Sequence, residues 1–170
     1  MRAVTIFLAL AMAIGLAACG KSPSAVPTKF QTYDGPPITA VQVQKANRKM
    51  YMLSGSEVVK EYNIALGFQP VGPKQFEGDG KTPEGTYVLD RRNPNSAYHL
   101  SIGVSYPNAN DRINALAAGK LPGGDIFIHG ESRGPTNGGD WTAGCIAVTN
   151  AEIEEIYPML REGTVIQILP

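Results

Sequence analysis

Residues 38–66 carry the sequence ITAVQVQKANRKMYMLSGSEVVKEYNIAL, which predicts a β-rich start to the folded domain. Apolar and polar side chains alternate over residues 38–44, and this period of two is typical of a half-buried strand. Residues 49–53 and 58–66 are further apolar stretches, and Ser54-Gly55-Ser56 lies between them. A short glycine-containing link between two such stretches predicts a β-hairpin.

Outward from this stretch, short apolar runs alternate with turn residues. The 170 residues include 19 glycines and 13 prolines, which favours many turns and short strands over a helical bundle. A long loop is predicted over residues 67–85, with further strands over 86–89, 98–104, 125–129 and 164–169. One helix is predicted over 111–118. A second helix starts at a Thr149/Glu152 capping box and has Ile153, Ile156 and Leu160 on one face. The pattern predicts a mainly β fold, a sandwich or barrel with two short helices, over residues 38–170.

Composition excludes several classes of protein. Fifteen basic and fifteen acidic residues give a net charge of zero, which argues against a nucleic-acid partner. Two cysteines and two histidines are too few for a disulfide scaffold or a cysteine-rich zinc module. Asp79 and Glu84 with a distant histidine are too few ligands for a metal, so no metal site and no cofactor are predicted.

The N-terminus carries a targeting pattern. Residues 3–18 are uncharged and shorter than the ~20 apolar residues that span a bilayer, which is typical of a secretory signal. Leu16-Ala17-Ala18-Cys19 resembles a bacterial lipobox, which implies a signal peptide over residues 1–18 and a lipid on Cys19; the alternative is an ordinary signal peptide with a chance cysteine. Gly20 favours the outer membrane by analogy with lipoprotein sorting. The proline-rich residues 19–37 are predicted to be the lipidated cysteine and a flexible tether.

Two residues outside these patterns could carry chemistry. Cys145 follows a glycine, and with Cys19 acylated it has no disulfide partner in the chain; it is either a buried structural thiol or a nucleophile. His129 ends a predicted strand and precedes a glycine-rich loop, where it is either a satisfied strand-end histidine or the base of a thiol. The pair has meaning only if the two residues meet in space.

The motifs around both residues resemble the YkuD-type L,D-transpeptidase family. Ile128-His129-Gly130 followed by Thr142-Ala143-Gly144-Cys145-Ile146 is similar to the family's His-Gly and Ser/Thr-x-Gly-Cys signature. Upstream, Gly72-Pro73-Lys74, the Gly-Asp-Gly-Lys-Thr-Pro-Glu-Gly run at 78–85 and Tyr106-Pro107-Asn108 also resemble family blocks. The resemblance covers about residues 38–170 and implies that family's β-sandwich or barrel fold.

Site roles follow from this resemblance. It implies Cys145 as nucleophile, His129 as its base, backbone N–H groups of Gly144 and Cys145 as oxyanion donors, and Thr142 as the residue that orders the site. Substrate contacts are further candidates at His99, Gly130, Arg133 and Trp141, although a packed histidine and a solvated arginine are open alternatives. Asp140 and Trp141 either fix the approach to Cys145 or only pack the loop.

The resemblance implies transfer of a peptidoglycan stem peptide through a Cys145 thioester to an amine, in cell-wall biogenesis on the periplasmic side of the envelope. Many family members have His at the position of Ala143 and Arg at that of Ala147, so the acceptor is open. The alternatives are a thiol peptidase or amidase that cleaves wall cross-links or a wall–lipoprotein bond, and a lipid-anchored wall-binding module without catalysis. A wall-anchored lipoprotein or an outer-membrane protein is a further candidate partner.

Overall fold

A computed structural model describes residues 28–132, 134 and 138–170. The strands are β1 Ala40–Gln44, β2 Lys49–Ser54, β3 Glu57–Asn63, β4 Gly85–Asn93, β5 Ser101–Val104, β6 Phe127–His129, β7 Ile146–Ala147 and β8 Val165–Leu169. The helices are α1 Ala109–Ala117 and α2 Asn150–Met159. In the described ranges, no helix is long and apolar enough to cross a membrane. The predicted signal peptide and Cys19 lie outside these ranges, as does Arg133.

The eight strands form one mixed sheet in the order β3-β2-β1-β8-β4-β5-β6-β7. Most neighbours are antiparallel, whereas β1 with β8 and β6 with β7 are parallel. The sheet curls so that its two ends meet, because the chain after β3 bridges to the region of β7 at Ala65↔Ala147 and Gly67↔Thr142. The mainly β fold with two short helices is therefore confirmed, as a single curled sheet that closes on itself.

Alternation of side chains places the core inside the curl. Val41, Val43, Met50 and Met52 are all fully buried, as the period-two pattern of the first strands predicts. On α2, the predicted apolar face of Ile153, Ile156 and Leu160 is also fully buried, and each such side chain contributes about 1.5–3 kcal/mol. The Thr149/Glu152 capping box at the start of α2 is present.

Several boundaries differ from the prediction because backbone geometry ends the strands. β5 begins at Ser101 rather than at residue 98, since His99 has a φ of 72° that a strand cannot contain. β6 begins only at Phe127, after Asp125 with a φ of 54°. β3 ends at Asn63 because residues 64–67 turn to the opposite end of the sheet.

The described part of the predicted tether lies against the domain. The Lys29 ammonium donates to the carbonyl oxygens of Pro94 and His99. The Phe30 ring lies 6.4 Å from that of Tyr157, and Tyr33 packs against the core. Within residues 28–37 of the predicted tether, Lys29, Phe30 and Tyr33 therefore have partners on the domain.

Candidate active site

The pairing of β6 with β7 places His129 and Cys145 on one face of the sheet. Ile128 pairs with Ile146 and His129 with Ala147 in a parallel register. Because side chains alternate along a strand, the isoleucines enter the core while His129 and Cys145 share the other face. Cys145 borders a cleft of about 390 Å³ whose lining includes Phe68, Gly80, Gly124, Ile126 and Ala143.

The His129 imidazole is set up as a neutral base. Its Nδ1 lies 2.7 Å from the carbonyl oxygen of Gly130, so Nδ1 carries the proton and Nε2 keeps a free lone pair. The side chain is 3% exposed, and the Tyr98 and Trp141 rings lie 4.4 and 5.6 Å from its ring. Burial lowers the pKa of His129, and the bond to Gly130 opposes this only in part. The imidazole is therefore neutral at neutral pH.

The Cys145 side chain is a thiol in this resting site. Its Sγ donates to the carbonyl oxygen of Asp125 at 3.4 Å. Burial raises the pKa of Cys145 and the Asp125 charge adds to this, while the N–H of Phe127 and the charges of Lys74 and Arg91 act in the opposite direction. Over the described residues, no hydrogen bond joins His129 to Cys145. Catalytic bonds of this kind often form only when substrate is present.

Thr142 and Gly144 shape the turn before the nucleophile. The Thr142 hydroxyl accepts from the N–H of Gly144 at 3.1 Å and donates to the carbonyl of Cys145 at 2.7 Å. Gly144 has a φ of 137°, and a Cβ there would lie 2.7 Å from the carbonyl oxygen of Lys81. The Thr142 hydroxyl therefore bridges the backbone of Gly144 and Cys145. The prediction that the Gly144 N–H serves the oxyanion conflicts with this geometry, because that N–H is already bonded to Thr142.

The N–H of Cys145 differs from that of Gly144. Among the described residues it donates to no carbonyl or side chain. It belongs to the same residue as Sγ, so a carbonyl oxygen held beside Sγ is within its reach. The arrangement therefore leaves one backbone donor beside the thiol that could stabilise a negatively charged oxygen.

Two buried lysines fix the long loop that walls the cleft. The Lys45 side chain is 2% exposed, and its Nζ donates to the carbonyls of Gly72 and Thr82 and lies 2.8 Å from the Glu84 carboxylate. Lys74 Nζ lies 2.9 Å from the Asp79 carboxylate, and both side chains are buried. The sequence showed the glycine-rich block but gave no sign that Lys45, distant in the chain, holds it.

Burial would raise the pKa of Asp79, but hydrogen bonds outweigh it. The carboxylate accepts from the N–H groups of Gln75, Lys81 and Phe76 as well as from the Lys74 ammonium. These bonds lower its pKa below the ordinary value of 3.8. Asp79 is therefore charged across the neutral range, and its hydrogen bonds order the loop. The described residues hold no group of three or more potential metal ligands.

The other predicted substrate residues lie in different positions. His99 is outside the strand predicted for it and outside the cleft, because its Nε2 is bonded to the Glu154 carboxylate on α2 at 2.6 Å. Gly130 supports His129 through its carbonyl, and a Cβ there would lie 2.5 Å from Asn150 Oδ1. Trp141 packs on His129. Tyr98, which stacks on His129, was missed as a site residue because it lies 31 positions away in a loop.

Comparison with known proteins agrees with this geometry. Residues 38–168 match the sequence model of the YkuD family, described as an L,D-transpeptidase catalytic domain. The chain is 30% identical over 177 residues to YafK of Escherichia coli (strain K12), which is named as a provisional L,D-transpeptidase, and the match covers 97% of the chain and 66% of YafK.

Solved structures also match. The helical cell shape determining protein Pgp2 of Campylobacter jejuni superposes with a TM-score of 0.60 at 27% identity, over 78% of this chain and 48% of Pgp2. Bd1075 of Bdellovibrio bacteriovorus gives 0.54 at 27% identity, over 82% of this chain and 51% of that protein. An L,D-transpeptidase of Xylanimonas cellulosilytica, at 15% identity and a TM-score of 0.52, shares the fold. The chain thus spans about half the length of Pgp2 and Bd1075.

Proposed function

Because the chain belongs to the family of YkuD L,D-transpeptidase catalytic domains, we propose that it is a peptidoglycan acyltransferase that works through a Cys145 thioester. The observation that carries the proposal is the register of β6 and β7, which puts a neutral imidazole, His129, on the same face as the Cys145 thiol, and Cys145 borders a cleft. Gly78, Gly80, Gly123 and Gly124 line part of that cleft and present backbone there, which suits an extended peptide.

The first half-reaction forms the acyl-enzyme. His129 Nε2 takes the proton of Cys145 as the sulfur attacks the carbonyl carbon of the third residue of a stem tetrapeptide. The N–H of Cys145 stabilises the oxygen of the tetrahedral intermediate, an interaction that typically lowers the barrier by about 3 kcal/mol. The bond to the terminal D-Ala nitrogen then breaks, the imidazolium returns the proton to that nitrogen, and free D-Ala leaves the thioester behind.

The second half-reaction decides between a transferase and a hydrolase. An amine acceptor attacks the thioester and gives an amide, either a 3–3 cross-link or the attachment of a wall protein, and Cys145 regains its proton. Water in the same role gives hydrolysis. Ala143 is exposed beside Cys145 at the cleft, and its side chain is smaller than the histidine that many family members have at this position.

The test is incubation of the chain with intact sacculi, followed by mass spectrometry of the muropeptides. New 3–3 dimers with release of D-Ala identify a transpeptidase. Loss of tetrapeptides, cross-links or lipoprotein-bearing muropeptides without new dimers identifies a hydrolase. Cys145→Ala should abolish both results, and His99→Gln is the matched control because His99 lies outside the cleft. Full activity of Cys145→Ala would refute the proposal.

The place of action is the envelope, with Cys19 as the lipid anchor on the periplasmic side. The support is the lipobox-like Leu16-Ala17-Ala18-Cys19. Metabolic labelling with an alkyne fatty acid tests the anchor. Label that is lost in Cys19→Ser and retained in Cys145→Ala supports it, and equal labelling of wild type and Cys19→Ser contradicts it.

A further inference from the structure

The turn between β1 and β2 contacts both loops that border Cys145. Lys45, at its start, holds the 67–85 loop through Gly72, Thr82 and Glu84. Arg48, at its end, faces the loop of residues 138–145. Only two residues separate these two cations along the chain, so one turn fixes both walls of the site. The contacts of Arg48 are the ones that the proposed mechanism leaves unexplained.

Arg48 forms a bidentate ion pair with Asp140. Its Nε lies 3.0 Å from both carboxylate oxygens of Asp140, and its Nη2 lies 2.7 Å from Oδ2. Asp140 Oδ1 also accepts from the N–H of Leu66 at 2.9 Å. Arginine is suited to this because its planar guanidinium fixes a carboxylate in direction as well as in distance.

The backbone of Arg48 is fixed before its side chain acts. Its φ is 53°, a left-handed conformation that is uncommon for a residue with a side chain. Its N–H donates to the carbonyl of Lys45 at 3.2 Å, and its own carbonyl accepts from the N–H of Ile64 at 3.0 Å. The guanidinium therefore starts from a defined position, and strain of this kind tends to occur at functional sites.

Asp140 is followed directly by the residue that covers His129. The Trp141 ring meets the imidazole edge to face, with centroids 5.6 Å apart. Tyr98 lies 4.4 Å from the imidazole and 6.0 Å from Trp141, so the three rings form one cluster. This aromatic enclosure, Tyr98 and Trp141 around His129, keeps the imidazole buried, and no charged side chain contributes to the shift of its pKa.

We infer that Arg48 is a positioning residue, whose ion pair with Asp140 holds Trp141 against His129 and thereby shields and orients the imidazole. The inference rests on the proposed function only for the role of His129 as base. Loss of the ion pair leaves the Asp140 carboxylate held, among the described residues, only by the N–H of Leu66. The loop of residues 138–145 is then less constrained, Trp141 moves, and water reaches His129. The loss therefore acts on the base without any contact between Arg48 and the cleft.

The test compares Arg48→Ala with wild type in the full chain. The chain holds two histidines and one tryptophan, so NMR titration of ¹³C-labelled histidine and tryptophan fluorescence each report on the enclosure, with His99→Gln assigning the signals. Arg48→Ala should raise the pKa of His129 toward 6.5 and red-shift the Trp141 emission. It should also lower kcat by about tenfold or more and shift the acid limb of the pH–kcat profile to higher pH. Arg48→Lys keeps the positive charge but loses the planar guanidinium, so its His129 pKa, Trp141 emission and kcat should lie between those of wild type and Arg48→Ala.

Lys49→Ala is the matched control, because Lys49 is the next residue and its ion pair with Glu61 is exposed. It should leave the His129 pKa and the Trp141 emission at wild-type values. If Arg48→Ala does not fold, Asp140→Asn and Arg48→Lys take its place with the same expected direction. Wild-type values of both signals in folded Arg48 or Asp140 variants would overturn the inference. Neither signal needs substrate, so an inactive wild type would refute the proposed function separately.

Discussion

Replacing Asp79 with asparagine tests whether a buried ion pair holds the loop beside Cys145. The Asp79 carboxylate is 5% exposed, the Lys74 side chain is 4% exposed, and they lie 2.9 Å apart. Asparagine keeps the shape but offers one acceptor oxygen, whereas each of the two carboxylate oxygens accepts two hydrogen bonds. The variant therefore leaves the Lys74 ammonium without its counter-ion and at least one backbone N–H without a partner.

The expected cost of Asp79→Asn is about 3–5 kcal/mol, because removal of one partner strands a buried charge. A domain of this kind is stable by only about 5–15 kcal/mol in total, so the effect should be large in any unfolding experiment. Adding Lys74→Met should recover part of the loss, since the double variant no longer buries an unpaired charge. The sum of the unfolding free energies lost in the two single variants should therefore exceed the loss in the double variant.

Urea unfolding followed by the emission of Trp141, the single tryptophan, measures this cost. Glu61→Gln is the control: its pair with Lys49 is exposed, and about 0–1 kcal/mol is expected. Because the pKa of Asp79 is lowered on folding, its contribution to stability is present above its ordinary value of 3.8 and is lost as the pH falls through the lower folded pKa. Asp79→Asn should not show this loss of stability at acidic pH. A cost below about 1 kcal/mol would refute the reasoning.

Three further predictions concern the nucleophile. Because burial raises the pKa of Cys145, alkylation by iodoacetamide should be slow at pH 6 and rise steadily toward pH 9, whereas a plateau at acidic pH would indicate a thiolate–imidazolium pair. Gly144→Ala should cost about 1–3 kcal/mol from backbone strain alone and lower kcat strongly, since a Cβ meets the Lys81 carbonyl; wild-type thermal unfolding and kcat would contradict this. Thr142→Val should lower kcat more than Thr142→Ser, which keeps the hydroxyl that bridges Gly144 and Cys145; equal rates of the two variants in D-Ala release would remove that role.

The spacing of apolar residues predicted those strands and helices that are determined by neighbouring residues in the sequence. The strand at 38–44, the first hairpin and the face of α2 follow directly from side-chain alternation and helical spacing, and they appear as expected. β7 was not predicted, because two residues carry no period; Ile146 and Ala147 are a strand only through their long-range pairing with β6. The closure of the curl at Ala65 and Ala147 is equally invisible to a local pattern.

The site divides in the same way. Cys145 and His129 were identifiable from residue type, neighbouring glycines and family motifs. The contacts that set their chemistry join distant parts of the chain, such as Arg48 with Asp140 and Tyr98 with His129. His99 shows the converse: it was a candidate substrate contact on a predicted strand, but its φ is positive and its imidazole is bonded to Glu154 on α2. The hydrogen bond from the Gly144 N–H to the Thr142 hydroxyl could not be predicted from sequence, because it depends on the conformation of the turn.

Intact-protein mass spectrometry during turnover of a stem tetrapeptide tests the acyl-enzyme most directly. The account predicts a covalent adduct equal to the tetrapeptide less D-Ala, mapped to Cys145, released by hydroxylamine and absent from Cys145→Ala. The same adduct should form more slowly in His129→Gln and at the wild-type rate in His99→Gln. Release of D-Ala with no adduct on Cys145, or with equal rates in Cys145→Ala, would contradict the central claim.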